Sequence, residues 1–301
     1  MLLLKGTVNR LNISLKSKIS ISMRNRSEGW AYAKNSGHEN ESLAEALLVH
    51  DSEYQHSFVK RLGHEGTTIV RIDTGGINET NVESVLGGTT KTKTDIHILL
   101  SDGAQVNISL KKSWGGQVYL ISIDHFIHGY ETQFQTTIPD NVKRAIELFW
   151  GSANDVPEIV ANYGFAKAYE TRKHRLTADT LRAYNPMLHN ALLNWFKENV
   201  GNLSRFCFTM GLAADPREHA DFVWYKNELG DEGEDFDYLI PTADLSQISG
   251  NNTDLVVYGN RSHGTTIQLP FGFVQWHSPT KVIPGCLQFH HKLESIINIL
   301  K

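Results

Sequence analysis

Cysteine is nearly missing from this chain: 301 residues carry only Cys207 and Cys286. Two thiols cannot build a disulfide framework or a four-thiolate zinc site, and no Cys-x2-Cys pair supports a zinc finger. A reducing cytoplasm is the expected setting. Long apolar runs are missing as well. Met1-Leu2-Leu3-Leu4 is broken at once by Lys5, so neither a signal peptide nor a membrane span is expected, and no membrane partner. Low-complexity tracts are absent, and so is any excess of positive charge, since the formal net charge is −4.

That negative balance is local. Glu228 to Asp237 holds six acids (228, 231, 232, 234, 235, 237) and no base, and removing these six turns −4 into +2. The first 27 residues carry Lys5, Arg10, Lys16, Lys18, Arg24 and Arg26 with no acid. Such asymmetry is compatible with a basic cleft and an acidic outer face, although scattered solvated charge explains it equally well.

With no clear linker, residues 1–301 read as one α+β domain: a mixed central β-sheet flanked by helices. Residues 8–23 alternate as a short hairpin, which makes about 1–27 a basic N-terminal arm. A helix is expected from Asn40-Glu41-Ser42 towards Phe58, with Leu43 and Leu47 as its buried stripe and Glu41 and Glu45 near the stripe's edge. Gly63 ends it, and Thr67–Ile72 is an expected strand. Pro139 opens another helix, and residues 177–200 form the strongest helical run, whose aromatic stripe is a core feature. Phe206–Leu212 and Phe222–Tyr225 read as buried strands, and about 255–301 as a strand-rich C-terminal part.

The most informative stretch is Gly87-Gly88-Thr89 through Lys93-Thr94-Asp95 and on to Lys111-Lys112. Ile96, Ile98 and Leu100 alternate with Asp95 and His97; Val106, Ile108 and Leu110 alternate with Asn107, Ser109 and Lys111. Period-2 alternation around Asp102-Gly103 marks a hairpin with one buried face. Apolar residues of both strands share a face only if paired numbers sum to an even value. A three-residue loop Asp102-Gly103-Ala104 would set Asp95 opposite Lys111, with Ser109 as its diagonal neighbour. A carboxylate, a hydroxyl and an ammonium at one end of a hairpin could hold a divalent cation and polarise a phosphate. On the pattern alone, an ordinary polar surface hairpin is the better explanation. The five letters Asn107–Lys111 also occur at Asn12–Lys16, where no Asp precedes them.

Wider sequence context favours the first reading. Gly87-Gly88-Thr89, Lys93-Thr94-Asp95 and Asn107-Ile108-Ser109-Leu110-Lys111 together resemble the MspI-like type II restriction endonucleases of the PD-(D/E)XK class. These carry a Gly-Gly-Ser-Pro-Lys-Thr-Asp run and a Leu-Asn-Ile-Lys-His-Ser-Ser run. Trp195-Phe196, Phe206-Cys207-Phe208-Thr209 and Leu287-Gln288-Phe289-His290 extend the resemblance patchily to the C-terminus. It implies a restriction-endonuclease-like fold, a Mg²⁺ cofactor and double-stranded DNA as substrate. Asp95 and Lys111 match the catalytic Asp and Lys. Ser109 stands where the motif usually has an acid and the MspI type has Asn, so Asp95 and Ser109 would face the metal, with Glu45 or Glu41 supplying the missing charge. Gln288 and His290 match side chains that read bases; Gln117, Tyr119 and Lys112 are further candidates for DNA contact. His290 replaces a Lys, so the recognised sequence is not carried over.

The function expected is site-specific, Mg²⁺-dependent cleavage of double-stranded DNA in a restriction–modification system of bacterial or phage origin. A DNA methyltransferase is expected as a genetic neighbour, and the enzyme as a monomer or homodimer. Two rivals differ in class. A non-catalytic, repair-type or homing-type DNA-binding protein of the same fold is favoured by Ser109 and opposed by Asp95 with Lys111. An HNH nuclease would use some of the fourteen histidines, but His38, His125, His128, His263, His290 and His291 are scattered.

Overall fold

A computed structural model of the chain describes residues 26–74, 81–164, 175–229, 236–277 and 285–301. The hairpin expected over 8–23, its Asn12–Lys16 repeat, almost all of the basic arm, Gly75-Gly76 and acidic residues 231–235 lie outside these. Helices α1 (Arg26–His50) and α2 (Ser52–Arg61) lead to β1 (Ile69–Thr74). A small ribbon, β2 (Asn81–Glu83) and β3 (Thr89–Lys91), precedes β4 (Ile96–Leu100), β5 (Gln105–Lys111) and β6 (Gly115–Ser122). Helices α3 (Ile123–Phe134), α4 (Asp140–Trp150), α5 (Val156–Tyr163), α6 (Ala178–Tyr184) and α7 (Pro186–Arg205) follow. Then come β7 (Phe222–Lys226), β8 (Asp237–Pro241), α8 (Thr242–Asn251), β9 (Val257–Tyr258), β10 (Thr266–Leu269), β11 (Gly272–His277), β12 (Cys286–Lys292) and α9 (Leu293–Leu300).

The fold is α+β, with a mixed sheet in the order β1-β4-β5-β7-β8, where β5 and β7 run parallel and the other neighbours antiparallel. A second, antiparallel sheet runs β6-β12-β11-β10-β9. The chain crosses from the first sheet to the second between Lys111 and Gly115. One face of the mixed sheet presents Ile96, Ile98, Val106, Ile108, Leu110 and Trp224 to Ala44, Leu48, Phe58 and Val59 of α1 and α2. The opposite face turns Val223 and Tyr225 into a larger core shared with α3–α9 and the second sheet. Fully buried side chains such as Phe58 and Ile108 contribute on the order of 1.5–3 kcal/mol each.

Several sequence expectations shift. The α1 helix starts well before Asn40 and breaks at Asp51, whose carboxylate caps α2 by accepting from Tyr54 N at 2.9 Å. Its buried stripe is Ala44 and Leu48; Leu43 is 40% exposed, so the face is rotated by one position. The run 177–200 divides at Asn185, where Pro186 opens α7 and the Asn185 side chain caps it. Phe206–Met210 is not a strand but a π-helical continuation of α7, closed by Gly211 N donating to Phe206 O at 2.9 Å. Phe206, Cys207, Phe208 and Met210 are all buried, and a segment apolar on every side has no periodicity to separate strand from helix.

Candidate active site

The hairpin forms with the expected faces but a different register. Leu100 N donates to Ala104 O, Gly103 N to Leu100 O (both 2.9 Å), and Leu99 pairs with Gln105. The loop is therefore Ser101-Asp102-Gly103, with Gly103 at φ +86° in the left-handed position such three-residue turns require. Ala104 N donates to Asp102 Oδ1, which fixes the turn one residue earlier than expected. Pairing of Ile96 with Ile108, carried one step further, sets Asp95 opposite Ser109 rather than Lys111. The even sum survives, so all three side chains still leave the same face.

They converge there. Asp95 Oδ2 accepts from Leu110 N at 2.7 Å, Ser109 Oγ at 3.2 Å and Lys111 Nζ at 3.3 Å. Lys111 Nζ also donates to Ser109 Oγ at 2.7 Å and to Leu110 O at 3.0 Å. Ser109 is 2% exposed. The group opens into a cavity of about 770 Å³, lined by Glu41, Lys93, Asp95, Ser109, Lys111 and Gln117 among others.

Glu41, not Glu45, is the helix carboxylate on this cavity. With Ala44 and Leu48 as the buried stripe, position 41 lies on the same face one turn earlier, whereas Glu45 accepts from Thr74 Oγ1 at 2.9 Å. The buried Asn40 pins α1 in place, donating to Lys226 O at 3.0 Å and accepting from Glu228 N at 2.8 Å. Burial, and then the charge of Asp95, raise the Glu41 carboxyl above its ordinary value, against an opposing hydrogen bond from His38 at 3.3 Å.

Lys93 is a functional candidate that the sequence did not single out beyond its place in Lys93-Thr94-Asp95. Its Nζ donates to Val118 O at 3.2 Å and sits 3.3 Å from the Tyr119 ring centroid. Burial lowers its pKa to about 7. Tyr119 thus faces the Lys93 side of the cavity. A β-carbon at Gly211 (φ +54°) would stand 3.0 Å from Lys93 Cε, so the glycine permits that approach.

Gln117, Gln288 and His290 come together on an exposed face of the second sheet, next to the cavity. Register places Gln288 beside Gln275 and His290 beside Gln117 and Phe273. Gln288 Nε2 donates to Gln117 Oε1 at 2.7 Å, and Gln275 Nε2 donates to Gln288 Oε1 at 2.8 Å. Gln275 Nε2 also lies 3.1 Å from His290 Nε2, and Phe273 stacks on the His290 ring at 4.6 Å. Gln275 was invisible to sequence reasoning because nothing local marks which strand neighbours β12. Lys112 follows β5, outside the cavity lining. Among the described residues no three His, Cys, Asp or Glu side chains gather as a metal cluster, and no helix is long and apolar enough to cross a membrane.

No family model and no curated protein matches the chain. Among solved structures it is similar to restriction endonuclease MspI in complex with its cognate DNA. That similarity has a TM-score of 0.45 at 13% identity, over 83% of this chain and 82% of the other.

Proposed function

We propose that this chain is a Mg²⁺-dependent endonuclease of double-stranded DNA, acting site-specifically in the manner of a type II restriction enzyme. The observation that carries this reading is the meeting of Asp95 Oδ2, Ser109 Oγ and Lys111 Nζ within 3.3 Å on a cavity that Glu41 also lines. The residue types are those of the PD-(D/E)XK motif that the sequence resembles, at its strand positions.

The donor set fits a hard divalent cation. Asp95 and Glu41 offer carboxylate oxygens and Ser109 a neutral oxygen, and burial followed by the charge of Asp95 raises the Glu41 carboxyl. Protein ligands would be few, which leaves positions for water and a DNA phosphate. Mg²⁺, when bound, supplies charge neutralisation at the phosphate and lowers the pKa of a coordinated water. Lys111 is held at the cavity wall by Ser109 Oγ, Asp95 Oδ2 and Leu110 O, where the positive charge of its ammonium can stabilise charge developing on the phosphate. Asp95 fixes both the strand end, through Leu110 N, and that ammonium.

The test is incubation of purified protein with unmethylated plasmid and Mg²⁺. Discrete fragments are expected, lost with a chelator and reduced about 10²–10⁴-fold by Lys111→Ala. Retained DNA binding without cleavage of any substrate would instead favour a non-catalytic DNA-binding protein, the reading to which the hydroxyl at 109 points. A methyltransferase gene beside this one would support a restriction role independently.

A further inference from the structure

Gln117, Gln288, Gln275 and His290 lie on three adjacent strands, β6, β12 and β11, and form one hydrogen-bonded chain. A primary amide offers donors only from nitrogen and acceptors only from oxygen. Gln275 Nε2 gives one hydrogen to Gln288 Oε1 and points the other at His290 Nε2; with the amide in this orientation, the partner it calls for is a ring nitrogen that accepts, which is the Nδ1–H tautomer. Gln288 Nε2 in turn donates to Gln117 Oε1. Reversing the Gln275 amide would put two oxygens face to face unless Gln288 and Gln117 reversed with it and His290 changed tautomer. The four side chains therefore hold one donor–acceptor direction as a unit, and Gln275, touching both Gln288 and His290, is its junction.

Strand spacing gives the row a length. Two steps of about 4.8 Å across the sheet span roughly 10 Å, which is about three base-pair steps of 3.4 Å. Gln117 belongs both to this row and to the cavity that holds Asp95, Ser109 and Lys111, so the row is continuous with the candidate catalytic centre.

We infer that Gln275 is a positioning residue for base recognition. By fixing the amide of Gln288 and the tautomer of His290, it makes the face read about three consecutive base pairs of duplex DNA as a coupled set. This inference rests on the endonuclease reading above. In the coupled set Gln288 and His290 do not choose bases independently, because each one's donor pattern is set through Gln275.

Two measurements test it. Long-range ¹H–¹⁵N spectra of the free protein should show His290 as the Nδ1–H tautomer, reverting towards the ordinary Nε2–H form in Gln275→Leu. Selection of binding sites from a random DNA library should then give a motif whose preference weakens about tenfold or more at two or more positions in Gln275→Leu. Gln275→Glu, an acceptor where the chain needs a donor, should alter preference at those same positions instead of only weakening it. An Nε2–H tautomer in the wild type, or a change confined to one position, overturns the inference while leaving DNA binding intact. If the wild type binds no duplex at all, the endonuclease reading fails, and this inference with it.

Discussion

Ser109 is the residue on which the candidate centre turns. Its hydroxyl is buried, donates to Asp95 and accepts from Lys111, and so ties the acid to the base without adding charge. A carboxylate in its place would face Asp95 across the hairpin and add an anionic ligand to Asp95 and Glu41. Ser109→Asp should lower the Mg²⁺ concentration needed for half-maximal cleavage, on the order of tenfold, because ligand charge sets affinity for hard cations. A metal titration of cleavage rate measures this, and an unchanged or higher Mg²⁺ requirement would argue that position 109 does not face the ion. Glu41 supplies the complementary prediction. Its neutralisation in Glu41→Gln should raise the Mg²⁺ requirement and slow cleavage more than Glu45→Gln does, since Glu45 is engaged by Thr74. Equal rates for the two variants would remove Glu41 from the site.

At the scale of elements, placement of α2 against the mixed sheet depends on a half-buried charge cluster. Asp237 at the start of β8 accepts from Arg61 at 2.7 Å, Tyr54 at 2.5 Å and Trp224 Nε1 at 2.9 Å. It is the last acid of the run from Glu228, yet its side chain is only 12% exposed and structural in role. Burial pushes the Asp237 carboxyl up, but Arg61, Tyr54 and Trp224 together outweigh burial and hold it below the usual range. The folded state thus ionises it more readily than the unfolded one. The resulting stability is fully present above the unfolded value of about 4 and is lost as pH falls through the lower folded value. Asp237→Asn should cost about 3–5 kcal/mol near neutrality by leaving Arg61 buried without its counter-charge. It should also flatten the acid limb of the stability curve. Urea unfolding of both proteins across the acid range checks both effects, and a variant as stable as wild type at pH 7 would contradict the first.

For the whole molecule, a net charge of −4 means that the proposed contact with DNA depends on local positive charge. Lys111 lines the cavity and Lys292 ends the glutamine-bearing strand β12, so both lie on elements that the proposed DNA contact would use. Phosphate contacts release counterions, so affinity for duplex DNA should fall linearly in log–log form with salt, by a slope of about −0.9 per contacted phosphate. Binding isotherms at several salt concentrations give that slope, and a flat response would be incompatible with a phosphate-tracking surface.

What was legible in the sequence follows from periodicity. Alternation along 95–111 fixed two strands and their shared polar face, because a strand's faces repeat every two residues whatever lies around it. The sequence determined that Asp95, Ser109 and Lys111 leave that face together. It did not determine their partners, because a turn one residue earlier keeps the faces and changes every pairing. Only the Ala104–Asp102 contact and the packed sheet decided that Asp95 meets Ser109. The choice of Glu41 over Glu45 was likewise tertiary: it hangs on a one-position rotation of α1 enforced by Asn40 on β7, 186 residues away along the chain. So too for Gln275, which joins Gln288 and His290 only because β11 and β12 pair across a sheet. Local pattern encodes the face on which a residue lies, whereas the meeting of distant faces is set by packing of the whole chain.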